Sequence, residues 1–264
     1  MEIFQTVIEF SSVLMRLNQK LYDLFANRAR EVKIEMLCLG LGYTAVTLTD
    51  GGIGLAYTHF EDKKSCMLLN RHIDYEGQPA VELLEKIKSN NSVEKSMALA
   101  LVNALNHKDA LGYPEDRKNS ILFDRFKIGK GTNAAMVGFI GPLVDLLKQK
   151  QASVEVLDAS RNMGHKEDFY AKLGNWADVL ILTSTSILNN TTEEVLQNVH
   201  QKVKTIMLGP STPMVSEAFQ HLPVHMLAGT VPIDRENVLK AIRHGMGTPV
   251  LQKFSRKSYL YRFS

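Results

Sequence analysis

The chain has 264 residues, of which 45% are hydrophobic and 22% are charged, and its formal net charge is +3. This balance excludes disordered and fibrous proteins and predicts two globular domains of ordinary size. The chain has two cysteines, which excludes a disulfide scaffold and favours a reducing, cytoplasmic compartment. The sequence shows neither a secretory leader nor an apolar run of roughly 20 residues, so we expect no membrane contact.

The first half of the chain predicts a helix, a small sheet and two more helices. Apolar residues at three- and four-residue steps indicate the helices, and the strands follow from runs of strand-forming residues. Gly51, Gly52 and Gly54 permit the positive φ angles of a hairpin turn. The predicted elements are a helix over 2–30, strands over 31–39, 44–48 and up to Tyr57, and helices over 80–89 and 93–106.

The second half alternates between strands and helices. Apolar strand-like runs separated by helices indicate a parallel sheet covered on both faces, that is, a doubly wound Rossmann-like domain. The predicted strands are 134–140, 153–157, 179–183, 205–208 and 224–227, and the predicted helices are 143–149, 192–201, 214–220 and 235–244. The polar stretch 111–120 carries Gly and Pro and places the domain boundary between residues 1–118 and 119–264.

The C-terminal stretch is basic and interleaved with aromatic residues, namely Lys253, Arg256, Lys257 and Arg262 with Tyr259, Tyr261 and Phe263. Basic clusters of this kind occur in nucleic-acid-binding proteins. We interpret this one as an edge strand or tail that packs its aromatic rings against the domain, and we expect no nucleic-acid partner.

The loops after the strands are the candidate binding site, because ligands of doubly wound domains bind beyond the carboxyl ends of the strands. Gly138 and Gly141 lead from the first strand into a helix, which fits either an anion site or a structural tight turn. Asp158 ends the second strand, 20 residues after Gly138. An acid there holds a ribose hydroxyl in dinucleotide-binding domains, and it can also be a helix cap or loop acid.

Hydroxyl, amide and glycine residues follow the later strands and helix starts. They are Thr183, Thr185, Asn189, Asn190, Thr191, Gly209, Ser211, Thr212 and Gly229. Because loops after parallel strands emerge on one side, we expect a polar pocket there, facing the glycine turn Gly51 to Gly54. Neutral donors and helix N-termini suit a carboxylate or a phosphate.

Metal ligation has little support in the sequence. No CxxC pair and no HExxH helix is present, and Pro223 between His221 and His225 prevents a helix from aligning the two rings. We therefore expect no structural metal.

The second half resembles the heavy-metal chelation domain family, in which a domain similar to the enolase N-terminal fold precedes a Rossmann-like domain. The resemblance rests on Gly138-Phe-Ile-Gly-Pro, Ala177-Asp-Val-Leu-Ile-Leu-Thr-Ser-Thr, Asn189-Asn-Thr, Leu208-Gly-Pro-Ser-Thr-Pro, Ala228-Gly-Thr-Val and His244-Gly-Met-Gly-Thr. The first half matches more loosely, through Leu39-Gly-Leu-Gly-Tyr-Thr-Ala-Val and Asp50-Gly-Gly-Ile-Gly-Leu-Ala. The resemblance implies an α+β first domain and a ligand site between the two domains, for a metal-chelating molecule or its precursor.

Three functions remain open at this stage. The first is a protein of this family that binds a small polar or anionic organic ligand, with or without catalysis. The second is an enzyme that uses a nucleotide or an S-adenosylmethionine-like cofactor, with Asp158 on the ribose. The third is a non-catalytic module whose loops only cap helices. The sequence identifies neither a cofactor nor a catalytic residue, and it leaves a homo-oligomer open.

Overall fold

The computed structural model describes residues 16–60 and 72–261. The N-terminal helix is present from its described start as α1 (Arg16–Glu31), while positions 2–15 of the expected helix lie outside the described residues. One face of α1 is buried through Leu17, Leu21 and Phe25, whose spacing of four residues matches one side of a helix.

The first half contains a three-stranded antiparallel sheet in the order β1-β2-β3. Its strands are β1 (Ile34–Leu39), β2 (Tyr43–Leu48) and β3 (Ile53–Tyr57). The helices that follow are α2 (Val81–Leu84), α3 (Ser92–Leu105) and α4 (His107–Leu111). All six residues of β2 are buried, because helices cover both faces of this sheet.

The second half contains a six-stranded sheet in the order β5-β4-β6-β7-β8-β9. Its strands are β4 (Asn133–Val137), β5 (Ser153–Leu157), β6 (Val179–Thr183), β7 (Lys204–Leu208), β8 (Met226–Pro232) and β9 (Ser255–Tyr261). The first five strands are parallel, as the sequence predicts, and β9 is antiparallel to β8. The expected two-domain α/β fold is confirmed.

The helices of the second half are α5 (Ser120–Arg125), α6 (Gly141–Gln149), α7 (Lys166–Asn175), α8 (Thr192–Gln197), α9 (Arg235–Arg243) and α10 (Thr248–Leu251). Several expectations change. Helices α5, α7 and α10 were not predicted, the helix predicted over 192–201 ends at Gln197, and the helix predicted over 214–220 is only a single 3₁₀ turn, Ser216–Phe219.

The two halves share their cores. Helix α9 belongs to the second half, yet it packs on β1 and β2 through Val238, Leu239 and Ile242. A larger apolar cluster runs from α1 and α3 into β6 and β7. The domain boundary between 1–118 and 119–264 stays a proposal. Buried apolar contacts continue across it from one half to the other.

Candidate functional site

A cavity of about 490 Å³ lies between the two halves at the carboxyl ends of β4, β6, β7 and β8. This volume is typical of pockets that hold small organic molecules. The first half contributes Tyr43, Tyr57 and Asp116 to the wall, and the second half contributes the remaining residues. The cavity therefore lies at the sheet edge where open α/β sheets bind ligands.

The floor of the cavity is a row of residues that are paired across four neighbouring strands. Thr183 pairs with Leu208, Leu208 pairs with Ala228, and Ala228 pairs with Tyr259. All four line the cavity, and we call them the floor row. Cross-strand partners point to the same face of a sheet, and adjacent strands lie about 4.8 Å apart, so the row spans about 14 Å.

One end of the floor row lies beside the start of α6. Ile140, Gly141 and Leu143 line the cavity there, and no side chain in the described part of the chain caps the first turn of α6. Gly138 has a φ of 82°, and a methyl group on it would lie 2.7 Å from Cγ2 of Thr183. The glycine thus lets the loop before α6 pack directly against the end of β6. Pro142 has no N–H and the N–H of Leu143 donates to the carbonyl of Ile140, so the attraction for a negative charge here comes mainly from the helix dipole of α6.

Tyr43 and Tyr57 form one wall of the cavity, which we call the tyrosine wall, and it connects the first half to the cavity. The hydroxyl groups of Tyr43 and Thr248 share a hydrogen bond of 2.5 Å, and burial raises the pKa of the Tyr43 phenol, which stays protonated. The backbone N–H of Tyr57 donates to Oγ of Ser211 at 2.7 Å. Ser211 itself is fully buried. The first bond connects the Tyr43 ring to the start of α10, and the second connects the backbone of Tyr57 to the loop after β7.

The opposite wall contains a cation and a carboxylate that already accepts hydrogen bonds from its neighbours. Asp116 accepts hydrogen bonds from the backbone N–H and hydroxyl of Ser120 and from the N–H of Ile121, at 2.7–3.0 Å. The Nζ atom of Lys257 donates to the carbonyl of Arg117 at 3.4 Å. Among the described residues that line the cavity, Lys257 is the only cation and Asp116 the only carboxylate.

Two buried hydroxyl groups at the cavity have no hydrogen-bond partner among the described residues. They belong to Ser184 and Ser258, which are 1% and 2% exposed and line the cavity. A buried hydroxyl without a partner costs roughly 1–3 kcal/mol. A water molecule or a polar ligand in the cavity is the natural partner for such groups.

Six of the residues proposed from the sequence line this cavity: Gly141, Thr183, Thr185, Gly209, Ser211 and Gly229. Gly138 is outside the lining, but its backbone packs against the side chain of Thr183. Gly229 lies inside β8 and not in a loop after it, because β8 continues past the predicted end at residue 227 to pair with β9. Thr212 follows Ser211 but lies beside a small void next to Asn106 and Met214, outside the cavity.

Asp158 lies outside the cavity lining. Its carboxylate accepts the backbone N–H of Phe139 at 2.8 Å and the hydroxyl of Ser160 at 2.6 Å. Burial raises the pKa of this carboxyl, but the hydrogen bonds from Ser160, Phe139 and Arg161 outweigh it and hold the pKa below its ordinary value. In this arrangement the ionised carboxylate holds the loop between β4 and α6.

The loop Asn189 to Thr191 also lies away from the cavity. Oδ1 of Asn189 accepts the N–H and hydroxyl of Thr191. Asn190 has a φ of 57°, and its side-chain oxygen accepts a hydrogen bond from Asn18 of α1 at 3.2 Å. These residues join α8 to α1.

The glycine turn Gly51 to Gly54 lies at the opposite end of the hairpin from Tyr43 and Tyr57, so the structure does not bring it to the cavity. A methyl group on Gly52 or Gly54 would overlap the backbone of α3 at Ala104. Two of these glycines therefore allow the hairpin to pack closely on α3.

Several lining residues were not proposed from the sequence, among them Tyr43, Tyr57, Ala228, Lys257 and Tyr259. A signal was present for two of them, because Lys257, Tyr259 and Tyr261 alternate in the period of a strand that shows one face to the sheet core. The expected edge strand at the C-terminus is β9, and it forms a wall of the cavity.

The described residues offer few metal donors. No group of three or more His, Cys, Asp or Glu side chains within 16–60 and 72–261 is arranged to hold an ion. The cavity itself supplies phenols, alcohols and one carboxylate, and that carboxylate is held by three hydrogen bonds. This donor set does not fit direct coordination of a heavy metal, which prefers thiolate and imidazole ligands.

Within the described part of the chain, no helix combines the length and the apolar character that crossing a bilayer requires.

Comparisons with known proteins agree with the sequence resemblance. Residues 121–261 match a family model described as "Putative heavy-metal chelation", and residues 22–106 match a second model with the same description. An uncharacterized protein of Methanocaldococcus jannaschii is 21% identical over 260 residues, which cover 93% of this chain and 96% of the relative.

Two crystal structures of proteins with unknown function from the first of these families share the fold. The protein from Pyrococcus horikoshii has a TM-score of 0.74 and 22% identity, over 95% of this chain and 100% of its own. The protein from Desulfitobacterium hafniense has a TM-score of 0.74 and 19% identity, over 93% and 98%. At these identities the likeness establishes the fold alone.

Proposed function

Because this chain belongs to the family described as "Putative heavy-metal chelation", we propose that it binds a small organic anion in the cavity between its two halves. The observation that carries this proposal is the cavity of about 490 Å³, whose walls come from both halves of the chain. Pockets of this size with few, well-placed polar groups are the usual form of small-molecule sites.

The charges around the cavity favour an anion. The uncapped start of α6 carries partial positive charge, and Lys257 adds a full positive charge on the opposite wall. The carboxylate of Asp116 accepts three hydrogen bonds at the start of α5, which occupy acceptor positions that a ligand would otherwise meet. A carboxylate or phosphate group is therefore attracted where it lies beside Lys257 or the start of α6.

We propose that the ligand, and not the protein, supplies the atoms that chelate metal. The cavity has alcohols and phenols to hydrogen-bond such a molecule, whereas its own donors do not suit a heavy metal. This reading agrees with the family description and with the donor set of the cavity.

The nucleotide alternative has less support. The acid that would hold a ribose, Asp158, accepts hydrogen bonds from Phe139 and Ser160 and lies outside the cavity lining. A ribose at Asp158 would have to displace bonds that hold the loop before α6.

We further propose that the protein acts in the cytoplasm on a small molecule, with no nucleic-acid or membrane partner and with a homo-oligomer left open. The first domain is proposed to resemble the enolase N-terminal fold, since its antiparallel sheet is followed by helices.

A thermal-shift screen with nucleotides, pterins and metal chelates tests the proposal, because a ligand that binds the native state raises the melting temperature. Replacing Lys257 with Met should weaken binding of an anionic hit by about tenfold or more, since a hydrogen bond to a charged group contributes roughly 1.5–3 kcal/mol. Lys253→Met is the matched control, because Lys253 is exposed and lies outside the cavity. Equal loss in both variants, or no anionic hit, would contradict the proposal.

A further inference from the structure

We propose that the cavity selects a planar aromatic carboxylate, with its ring over Ala228 and its carboxylate beside Lys257. This inference rests on the proposed function and narrows the organic anion to one chemical class. It comes from the order of residues in the floor row.

The floor row forms a shallow trough. Ala228 is the smallest of its four residues, and its partners on either side are Leu208 and Tyr259. The strands on both sides of β8 lie about 4.8 Å from it, so the two larger side chains rise on either side of the alanine. A flat ring fits between them with its face on Ala228, whereas a puckered ring of the same size makes poorer contact.

The aromatic side of this trough is held in place. The Tyr259 ring lies 5.3 Å from the Tyr261 ring at 67°, an edge-on arrangement. The Tyr261 ring in turn lies 6.2 Å from Phe126 and 4.9 Å from the guanidinium of Arg125. A ring fixed in this way loses little conformational entropy when it contacts a ligand, and aromatic pairs gain more than their buried area alone provides.

The cation lies one step along the same face of β9. Lys257 precedes Tyr259 by two residues, so both side chains leave the strand on the same side, about 7 Å apart along it. An ammonium group has three donors, and among the described residues only one contact of Nζ with a hydrogen-bond acceptor is present, the 3.4 Å bond to Arg117. A carboxylate attached to a ring over Ala228 is within reach of this group.

Each end of the floor row has a polar group beside it. Thr183 and Thr185 share a hydrogen bond of 3.0 Å at one end, and Lys257 lies two residues before Tyr259 on β9 at the other. The middle offers Leu208 and Ala228. A sugar, which is polar all round, would lose hydrogen bonds with water where it covers the apolar side chains of Leu208 and Ala228. An aromatic carboxylate places its apolar part there.

Three probes test the inference by ligand-observed NMR titration: benzoate, cyclohexanecarboxylate and inorganic phosphate. We expect benzoate to bind about three- to tenfold more tightly than cyclohexanecarboxylate, which has the same charge but no flat ring. Tyr259→Leu should remove most of this preference. Lys257→Met should weaken both carboxylates by a similar factor of about ten, and Lys253→Met should weaken neither.

The outcomes separate this inference from the proposed function. Equal affinity of the two carboxylates, with both weakened in the Lys257→Met protein, would overturn the aromatic selectivity and leave an anion-binding cavity. Absence of binding by all three probes would count against both. If Tyr259→Leu does not fold, Ala228→Leu fills the trough from a residue that faces the cavity, and it should abolish the benzoate preference without lowering the melting temperature.

Discussion

Gly138 has a backbone conformation that other residues rarely adopt. Its φ is 82°, and a methyl group on it would lie 2.7 Å from Thr183. The loop from β4 to α6 depends on this close approach, since the same loop is held from its other side by Asp158. The residue therefore sets the distance between the start of α6 and the floor row.

Gly138→Ala should lower the free energy of unfolding by about 1–3 kcal/mol, because it adds both backbone strain and a steric clash. Gly174→Ala is the matched control. Gly174 lies in α7, and none of the described atoms lies within 4 Å of an added methyl group, so this change should be neutral or stabilising by about 0.5–1 kcal/mol. Urea denaturation of both variants measures the difference, and similar effects in the two would contradict our view of the loop.

Glu193 is a buried acid that connects α8 to α1. It is 5% exposed, and its carboxylate accepts the backbone N–H of Leu17 at 2.8 Å. Burial raises the pKa of this carboxyl, and the hydrogen bonds from the backbone only partly offset the effect. The folded protein therefore holds a proton on Glu193 at pH values where the unfolded chain has released it.

An acid whose pKa is raised on folding stabilises the protein at low pH, and this stabilisation is lost as the pH rises through the raised pKa. The window begins near the ordinary Glu value of 4.5 and extends above it. Glu193→Gln should remove this loss, so its stability relative to wild type should improve as the pH rises above 4.5. The exposed Glu236→Gln is the control, and a pH-independent difference for Glu193→Gln would show that burial does not act as we infer.

Helix α3 and strand β3 approach each other more closely than side chains normally allow. Gly54 makes this possible, because a methyl group on it would overlap the backbone of α3 at Ala100 and Ala104. The same contact explains why the glycine turn, which looked like a ligand loop in the sequence, is a packing feature. Strand β3 ends at Tyr57, so the packing of β3 against α3 also positions this residue of the tyrosine wall.

Gly54→Ala should cost about 1–3 kcal/mol of stability, the usual cost of overpacking, or more if β3 cannot move away from α3. Gly42→Ala serves as the control, since an added methyl group there meets no atom within 4 Å. Thermal and urea unfolding report the effect. A fully stable Gly54→Ala protein with weakened ligand binding would instead favour a direct role of this glycine at the site.

The elements that the sequence predicted well are those fixed by local pattern. Strands β5 and β6 have the predicted bounds of 153–157 and 179–183, because short apolar runs between turns leave little choice of register. Helix α7 was missed because it lies on the surface and buries only Phe169 and Leu173. Strand β8 was predicted too short, since its last residues are held by pairing with β9, a partner that is distant in sequence.

The residues of the candidate site also divide into those whose position the sequence pattern predicts and those whose position depends on distant contacts. Loops such as Gly209 to Ser211 lie at the edge where the sequence places them, because the topology of a parallel sheet alone brings them there, and their role in binding stays a prediction. Lys257 and Tyr259 were not proposed, because their place depends on β9 turning back antiparallel beside β8. Tyr43 depends on how the two halves dock, which no local pattern encodes.

At the scale of the whole molecule, the two halves are joined by shared apolar cores. One cluster contains residues of α1, α3, β6 and β7, and another joins α9 to the first sheet. The independent folding of residues 119–264, expected from the sequence, stays a prediction. A separate second half would expose the face of α9 that carries Val238, Leu239 and Ile242.

We expect the full chain to unfold in urea as one cooperative unit. Fluorescence of Trp176, the single tryptophan, reports on the second half, and far-UV circular dichroism reports on both halves. The two transitions should coincide, because breaking either shared core exposes apolar surface in both halves. Loss of part of the dichroism signal before any change in Trp176 fluorescence would show that the halves unfold separately.

The covering of β1 and β2 by α9 has a consequence during protein synthesis. The first sheet can form as soon as Tyr57 has left the ribosome, but the helix that shields one of its faces begins only at Arg235. At a synthesis rate of roughly 5–20 residues per second, that apolar face stays exposed for on the order of 10–40 s before α9 is made. Nascent chains of this protein should therefore engage chaperones until α9 emerges, and strains with weakened chaperone capacity should accumulate it as aggregates.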